Sequence, residues 1–277
     1  MTISSIQRLL DIMTQLRDPE TGCAWDIKQD FKSISKCVLE EAYEVYEAIE
    51  DEDMDMLRDE LGDLLLQVVF HSQMAKEQDI FSFDDVADAI SEKMINRHPH
   101  IFEDAVADTP EQVKKNWEAI KAEERAKKAK EQGNDGHISA LDGVSKSLPA
   151  LIRAKKLQDR AARVGFEWPD ISGVLDKIEE ELAELRIEVE SPNRNVNDIA
   201  GELGDVMFVL SNLARWLKID PEEAVRNTNA KFIRRFNGVE KKLQEIGRTP
   251  EESTLEEMDK FWDEVKAEEK ELKKKAS

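Results

Sequence analysis

Two sets of acidic residues with matching spacing are the side chains in this chain best placed to do chemistry. The first set is Glu41 and Glu44 in LEEAYEV, followed by Glu60 and Asp63 in DELGD. The second is Glu181 and Glu184 in EEELAEL, followed by Glu202 and Asp205 in GELGD. Residues three apart share a helix face. Advancing about 100° per residue, Glu41 and Glu60 border the apolar stripes of their segments, and Glu44 and Asp63 lie one step further round. Two such helices packed stripe to stripe gather four carboxylates on one edge, and the second set repeats the layout. Glu40 and Glu180 lie further from the stripe and read as outer groups facing a substrate. Clustered carboxylates repel and raise one another's pKa unless a cation neutralises them. Oxygen ligands without His or Cys suit a hard divalent ion, Mg²⁺ first and Mn²⁺ second.

An acid-rich chain also carries EExxE strings on plain solvated helix faces, and either string alone supports only that. Three features add weight. The matched acids border apolar stripes, both copies keep the whole set, and each ELGD glycine sits mid-helix at a cost of about 1 kcal/mol against Ala. Such a glycine predicts a close backbone approach.

Magnesium sites built from oxygen usually complete their coordination with water and phosphate oxygens. Lys231 and Arg235, four apart on one predicted helical face, fit phosphate oxygens, although ordinary surface cations take the same spacing. Lys93 and Arg97 are their first-half counterparts. Trp117 or Trp262 has the surface to cover a nucleobase, with core packing as the commoner use of a tryptophan. A di-iron helical bundle needs Glu-x-x-His pairs. None of His71, His98, His100 or His137 has a Glu three residues before it. No GxxxxGK[ST] loop is present, which argues against an ordinary P-loop ATPase.

These residues sit in a duplicated plan. GCAWD at Gly22–Asp26 returns as GFEWPD at Gly165–Asp170, and KMINR at Lys93–Arg97 returns as KFIRR at Lys231–Arg235. NWEAIKAEER at Asn116–Arg125 returns as FWDEVKAEEK at Phe261–Lys270. With the two acidic segments, five landmarks recur in one order at offsets of 138 to 145 residues. The expected organisation is a helical domain at 1–126, a charged linker at 127–143 and a second helical domain at 144–277. Val38, Ala42, Val45 and Ile49 keep the spacing of a buried helical face, as do Leu57, Leu61, Leu64, Leu65 and Val68. DEDMD (Asp51–Asp55) is short enough to make these two helices an antiparallel hairpin. SPNRNVND (Ser191–Asp198) has that role in the second half, with Pro192 ending one helix and Asn197 or Asp198 capping the next. An all-α fold follows, with four or so helices per half.

Bulk composition agrees. Of 277 residues, 36% are charged and 40% apolar, with only 11 Gly and 8 Pro, which suits amphipathic helices better than a many-stranded sheet. A net charge of −21 argues against nucleic acid as partner. Cys23 and Cys37 are too few for a disulfide framework. With no signal-peptide pattern and no apolar run of membrane-spanning length, a soluble cytoplasmic protein with no membrane partner is expected.

The order EExxE, ExxD and then a Lys/Arg helix resembles the all-α nucleoside triphosphate pyrophosphohydrolases. With GCAWD, RHPHIF (Arg97–Phe102) and LPALIRAKKLQDRAARVGFEW (Leu148–Trp168), the chain resembles the MazG-type family in its tandem, two-domain bacterial form. The resemblance implies magnesium-dependent hydrolysis of NTPs and dNTPs to monophosphate and pyrophosphate, with broad base tolerance, nucleotide-pool housekeeping and a homodimer. It implies that Glu181, Glu184, Glu202 and Asp205 bind magnesium, that Lys231 and Arg235 hold the triphosphate, and that Trp262 sits near the nucleotide. Lys177, Glu180, Asn229 and the helix start at Asp198–Gly201 are further substrate contacts, the last fitting the preference of helix N-termini for anions. A water at the acidic cluster attacks phosphorus, Glu180 or a ligand carboxylate takes its proton, and Lys231 and Arg235 stabilise the departing pyrophosphate. The first copy keeps Glu41, Glu44, Glu60, Asp63, Lys93 and Arg97. It has Ser91 where the second has Asn229, and Asn96 and His98 where the second has Arg234 and Phe236. That ranks it as a degenerate or dimer-supporting copy. Two rival readings are a nucleotide-sensing regulator without turnover and a structural helical scaffold.

Overall fold

Most helices begin where a short polar side chain takes over backbone N–H groups that have no intrahelical acceptor. The computed structural model describes residues 4–103, 107–131 and 139–276. The chain divides into two compact units, Met1–Glu124 and Arg125–Ser277. The first contains α1 (Ser5–Leu16), α2 (Ser35–Glu50), α3 (Met54–Glu77), α4 (Phe83–Arg97), the single turn α5 (Pro99–Phe102) and most of α6 (Pro110–Glu131). The second contains α7 (Ala150–Arg163), α8 (Ile171–Glu190), α9 (Val196–Trp216), α10 (Pro221–Glu245) and α11 (Leu255–Ala276). No strand occurs among the described residues, so the all-α class read from periodicity is the class observed. α6 continues to Glu131, inside the stretch expected as a linker. Residues 132–138, and with them His137, lie outside the described residues.

Both expected hairpins form: α2 packs on α3 and α8 on α9. Asp53 starts α3 by accepting from the N–H groups of Asp55 and Met56 at 3.1 and 2.9 Å. Glu52 turns the chain with a φ of 55°, in the left-handed region. In the second hairpin α8 stops at Glu190 and Ser191 caps it, with Pro192 just beyond, where it cannot continue a helix. The cap of α9 is Asn195, whose side chain accepts from the N–H of Asn197 at 3.0 Å. The expected cap at Asn197 or Asp198 lay two or three residues too late, because both already belong to the first turn of α9. The next helices start equally firmly: Ser82 and Asp85 form a capping box for α4, and Asp220 caps α10 ahead of Pro221.

The buried face of the first hairpin differs from expectation. Met13 of α1 packs with Ile34, Val69, Phe70 and Met74 in the core of the first unit, with Leu66 against it. On α2 the fully buried position is Ala48, while Ala42 and Ile49 are exposed. Leu61, Leu65 and Val68 are also exposed. The LLLQVVF run makes α3 apolar on two sides, and α1 covers the side bearing Leu66, Phe70 and Met74. The second unit repeats this: α7 packs on α9, Val206 and Val209 are buried, and Leu203, Met207 and Leu210 are exposed. The close approach expected at the ELGD glycines is also absent, because a Cβ on Gly62 or Gly204 would meet nothing within 4 Å. Both glycines lie on exposed helix surface, beside Leu61 and Leu203.

Met74 is 1% exposed within this core. Met74→Ala should destabilise the first unit by about 2–5 kcal/mol through lost burial and the cavity left behind, read as a lower denaturant midpoint with an unchanged slope.

Candidate functional site

Each hairpin gathers carboxylates along its edge. In the second unit, ligand oxygens of Glu181 on α8 and of Glu202 and Asp205 on α9 lie within 4.8 Å of one another. In the first unit the corresponding group is Glu41, Glu44 and Glu60. Glu184 and Asp63 stand outside these groups of three, yet near enough for their charges to act on Glu202 and Glu41. A single turn of separation on the helix, ExxE or ExxD, explains why both members of a pair face the same edge.

The electrostatics show how crowded the edges are. Partial burial, and then the charges of Glu184, Asp205, Glu181 and Glu188, push the Glu202 pKa above its ordinary value. Glu41 is raised by partial burial, then by the charge of Glu44 and a hydrogen bond with it, with Asp63 and Glu60 adding. Glu60 is raised by partial burial and by Glu44, Asp63 and Asp59. Glu181 differs because it has a resident cation. Although only 6% exposed, it takes the Lys177 ammonium at 2.7 Å, and Glu180 holds the same ammonium at 2.8 Å. These contacts, Glu180 first, hold the Lys177 pKa well above its ordinary value.

The remaining candidates fall in three places. Asp198 and Gly201 are exposed in the first two turns of α9, which starts at Val196. Asn229 and Lys231 are exposed on α10, and Lys93 is exposed on α4. Arg235 is half-buried, and its Nε donates to Glu269 of α11 at 2.9 Å; Arg234 donates to the same carboxylate at 2.6 Å. Arg97 repeats the contact in the first unit, donating to Glu124 of α6 at 3.1 and 2.6 Å. Trp262 lies against Phe232, ring centroids 5.3 Å apart, and the Arg235 guanidinium sits 5.7 Å from its ring centre. Trp117 is packed by Lys121 at 4.3 Å and by the edge of His98.

Sequence reasoning passed over Glu124 and Glu269, although both occupy the same place in the paired texts KAEER and KAEEK. It also passed over Gln158, Asn212 and Arg215. Their signal was polarity inside otherwise apolar helix faces, and Gln158 and Asn212 are both buried.

Two acid-edged helix hairpins on an all-α scaffold, each followed by a helix whose arginine is tied to a tail-helix glutamate, describe a duplicated carboxylate-site protein. The domain profile of the MazG nucleotide pyrophosphohydrolase matches residues 29–102 and again 171–239, each match spanning one hairpin. The nucleoside triphosphate pyrophosphohydrolase of Escherichia coli is 46% identical over 270 residues, covering 98% of this chain and 100% of that protein. The nucleoside triphosphate pyrophosphohydrolase/pyrophosphatase MazG of Thermotoga maritima is 42% identical over 260 residues, covering 94% of this chain and 95% of that one. The Mycobacterium tuberculosis nucleoside triphosphate pyrophosphohydrolase is 37% identical over 162 residues, 58% of this chain and 46% of that one. The chain belongs to the MazG nucleotide pyrophosphohydrolase family and carries the domain twice.

Because the folded-state pKa of Glu202 is raised, its charge weakens the fold at neutral pH, and the penalty is relieved as pH falls through that pKa toward 4.5. Metal-free Glu202→Gln should therefore melt above the parent chain at pH 7, and the two melting curves should converge as the pH approaches 4.5.

Proposed function

We infer that the second unit hydrolyses nucleoside triphosphates to monophosphate and pyrophosphate at the edge of the α8/α9 hairpin, with a divalent cation as cofactor. The observation that carries this is the convergence of Glu181, Glu202 and Asp205 within 4.8 Å, on a chain whose family acts on nucleotide pyrophosphate bonds. The donors are all carboxylate oxygens, which fits Mg²⁺, with Mn²⁺ as the second choice. Glu184, one turn beyond Glu181, completes the acidic set. Bound there, the cation supplies neutralisation of the facing anions and Lewis acidity at the attacked phosphorus.

The chain's own residues supply the rest. Lys177 holds Glu181 in place through their ion pair, and with Lys231 and Arg235 it provides three cations for phosphate oxygens. Glu180 stands outside the three-acid group and remains exposed, which suits it to take the proton of the attacking water. Glu269 grips the Nε side of Arg235, so the terminal nitrogens of that guanidinium are the ones left for a phosphate.

The substrate range we propose is NTPs and dNTPs without strong base preference. The domains are 1–126 and 144–277 with a linker at 127–143, and the first acts as a supporting copy. Among the described residues no helix is long and apolar enough to cross a membrane, and we place the enzyme in the cytoplasm with its nucleotide pool. The exposed Leu61, Leu65, Leu203 and Met207, beside bare glycine backbone, support a homodimer that covers them. Light scattering should then give a mass near twice 31.7 kDa, against a single-chain value if those faces stay free.

Turnover is tested by pyrophosphate release from mixed NTPs with and without Mg²⁺. Glu202→Ala should lower it by on the order of a hundredfold or more with helical circular dichroism intact. Nucleotide binding by the parent chain without any pyrophosphate release would replace the hydrolase with a sensor.

A further inference from the structure

The helices α10 and α11 touch at a glycine. A Cβ on Gly238 would come within 2.9 Å of both methyl groups of Val265, which is itself buried. Three and four residues before Gly238 stand Arg235 and Arg234, and four after Val265 stands Glu269. The close contact therefore sets both arginines opposite that carboxylate, one helical turn from the glycine. Arg234 donates from Nε to Oε1 of Glu269 at 2.6 Å, and Arg235 donates from Nε to Oε2 at 2.9 Å. One carboxylate thus holds two neighbouring guanidiniums, one oxygen to each. The hydrogen bonds from Arg234 and then Arg235 hold the Glu269 carboxyl below its ordinary pKa, and it is ionised at neutral pH.

A guanidinium presents its N–H groups in a fixed planar fork, and both terminal nitrogens stay available when only Nε is used. Among the described residues, no terminal nitrogen of Arg234 or Arg235 donates a hydrogen bond. The first unit makes the same contact differently. Arg97 donates to Glu124 side-on, from Nε at 3.1 Å and from Nη2 at 2.6 Å. Asn96 stands there where the second unit has Arg234. A single guanidinium is engaged by both oxygens, and its charge is cancelled. Two arginines sharing one glutamate keep a net positive charge at the corresponding turn of α10.

Pairs between these two helices also serve cohesion alone. Lys242, two turns beyond Arg235 on α10, reaches Glu264 at 3.3 Å and Glu268 at 2.7 Å. Exposed pairs of that kind contribute little. The Glu268 side chain is 61% exposed, whereas those of Glu269 and Arg235 are each 19% exposed. Two turns before Glu269 on α11 stands Trp262, with the Arg235 guanidinium 5.7 Å from its ring centre. Arg235 is thereby fixed from two sides, by a carboxylate at Nε and by an aromatic face.

We propose that Glu269 is a positioning residue for the substrate's phosphate chain. It turns Arg234 and Arg235 into one paired grip on phosphate oxygens, while Glu124 withdraws Arg97 from that task in the first unit. This rests on the hydrolytic reading of the second unit for the identity of the ligand, and it adds Arg234 to the cations that meet it.

Glu269→Gln keeps the shape of the side chain and removes its charge, so the shared anchor of the two arginines is lost. Glu268→Gln, at the adjoining residue, is the control for cohesion between α10 and α11. Inorganic tripolyphosphate probes the phosphate grip, and Mn²⁺ probes the carboxylate edge. Glu269→Gln should weaken tripolyphosphate binding, and raise KM for ATP, GTP, CTP and UTP alike, by about tenfold or more. Its kcat should stay within about threefold of the parent's, with Mn²⁺ binding unchanged. Glu268→Gln should match the parent throughout. Equal tripolyphosphate affinity in Glu269→Gln and the parent, or the same loss in Glu268→Gln, overturns the positioning role. A parent chain that binds two tripolyphosphates with equal affinity overturns the role given to Glu124. If Glu269→Gln loses its helical circular dichroism, Arg234→Gln carries the comparison, with the same expected loss and the same overturning result. A parent that binds tripolyphosphate but releases no pyrophosphate from NTPs overturns the hydrolase reading alone. Glu269 is then judged on tripolyphosphate affinity by the same criterion.

Discussion

Carboxylates held within 4.8 Å of one another on a helix hairpin are a standing electrostatic cost, and much of the structure around them limits or uses that cost. Partial burial first, and like charges at such range second, favour the protonated form, which is why Glu41, Glu60 and Glu202 all lie above their ordinary pKa. The hairpin does not relax by splaying. Capped starts at Asp53, Asp170 and Asn195 fix where its helices begin, and the packing of α1 on α3 and of α7 on α9 fixes its orientation. A cation bound there would relieve the repulsion, and rigid packing of the hairpin would hold the ligands for it.

That rigidity has a second use. Each long hairpin helix is apolar on two sides, and one side suffices for the core of its own unit. The first unit spends α3 on a filled interior around Phe70 and Met74. The second leaves a cavity walled by Phe208 and the GFEW aromatics. Duplication thus produced two copies of one carboxylate edge over different interiors, and the differences lie in a few side chains on matched turns.

The duplicated architecture was legible in the sequence because the landmarks recur in order and because apolar and acidic residues alternate with helical period. The carboxylate pairs were legible for the same reason: ExxE and ExxD fix two groups on one face regardless of tertiary detail. Four things were not. Leu61, Leu65 and Val68 satisfy the period of a buried face as well as Leu66 and Phe70 do, and only the position of α1 decides between them. The ELGD glycines were read as a contact, whereas in this chain they are bare surface. The Arg97–Glu124 and Arg235–Glu269 pairs join residues 27 and 34 apart in the chain, beyond any local rule, although their repetition in both halves was visible. Gln158, Asn212 and Arg215 looked like interruptions of an apolar pattern, and their meaning depends on the hollow they surround.

Lys177 and Cys37 occupy equivalent turns, four residues ahead of the leading glutamate of each edge. In the second unit an ammonium already touches that carboxylate, so an arriving ion would share it with a resident cation. In the first a half-buried thiol stands at that turn and brings no ammonium to the carboxylate. Identical ligand chemistry therefore presents two different fields to the same ion. Ion binding in the second unit would therefore compete with a resident ammonium, whereas in the first it would meet none at that turn.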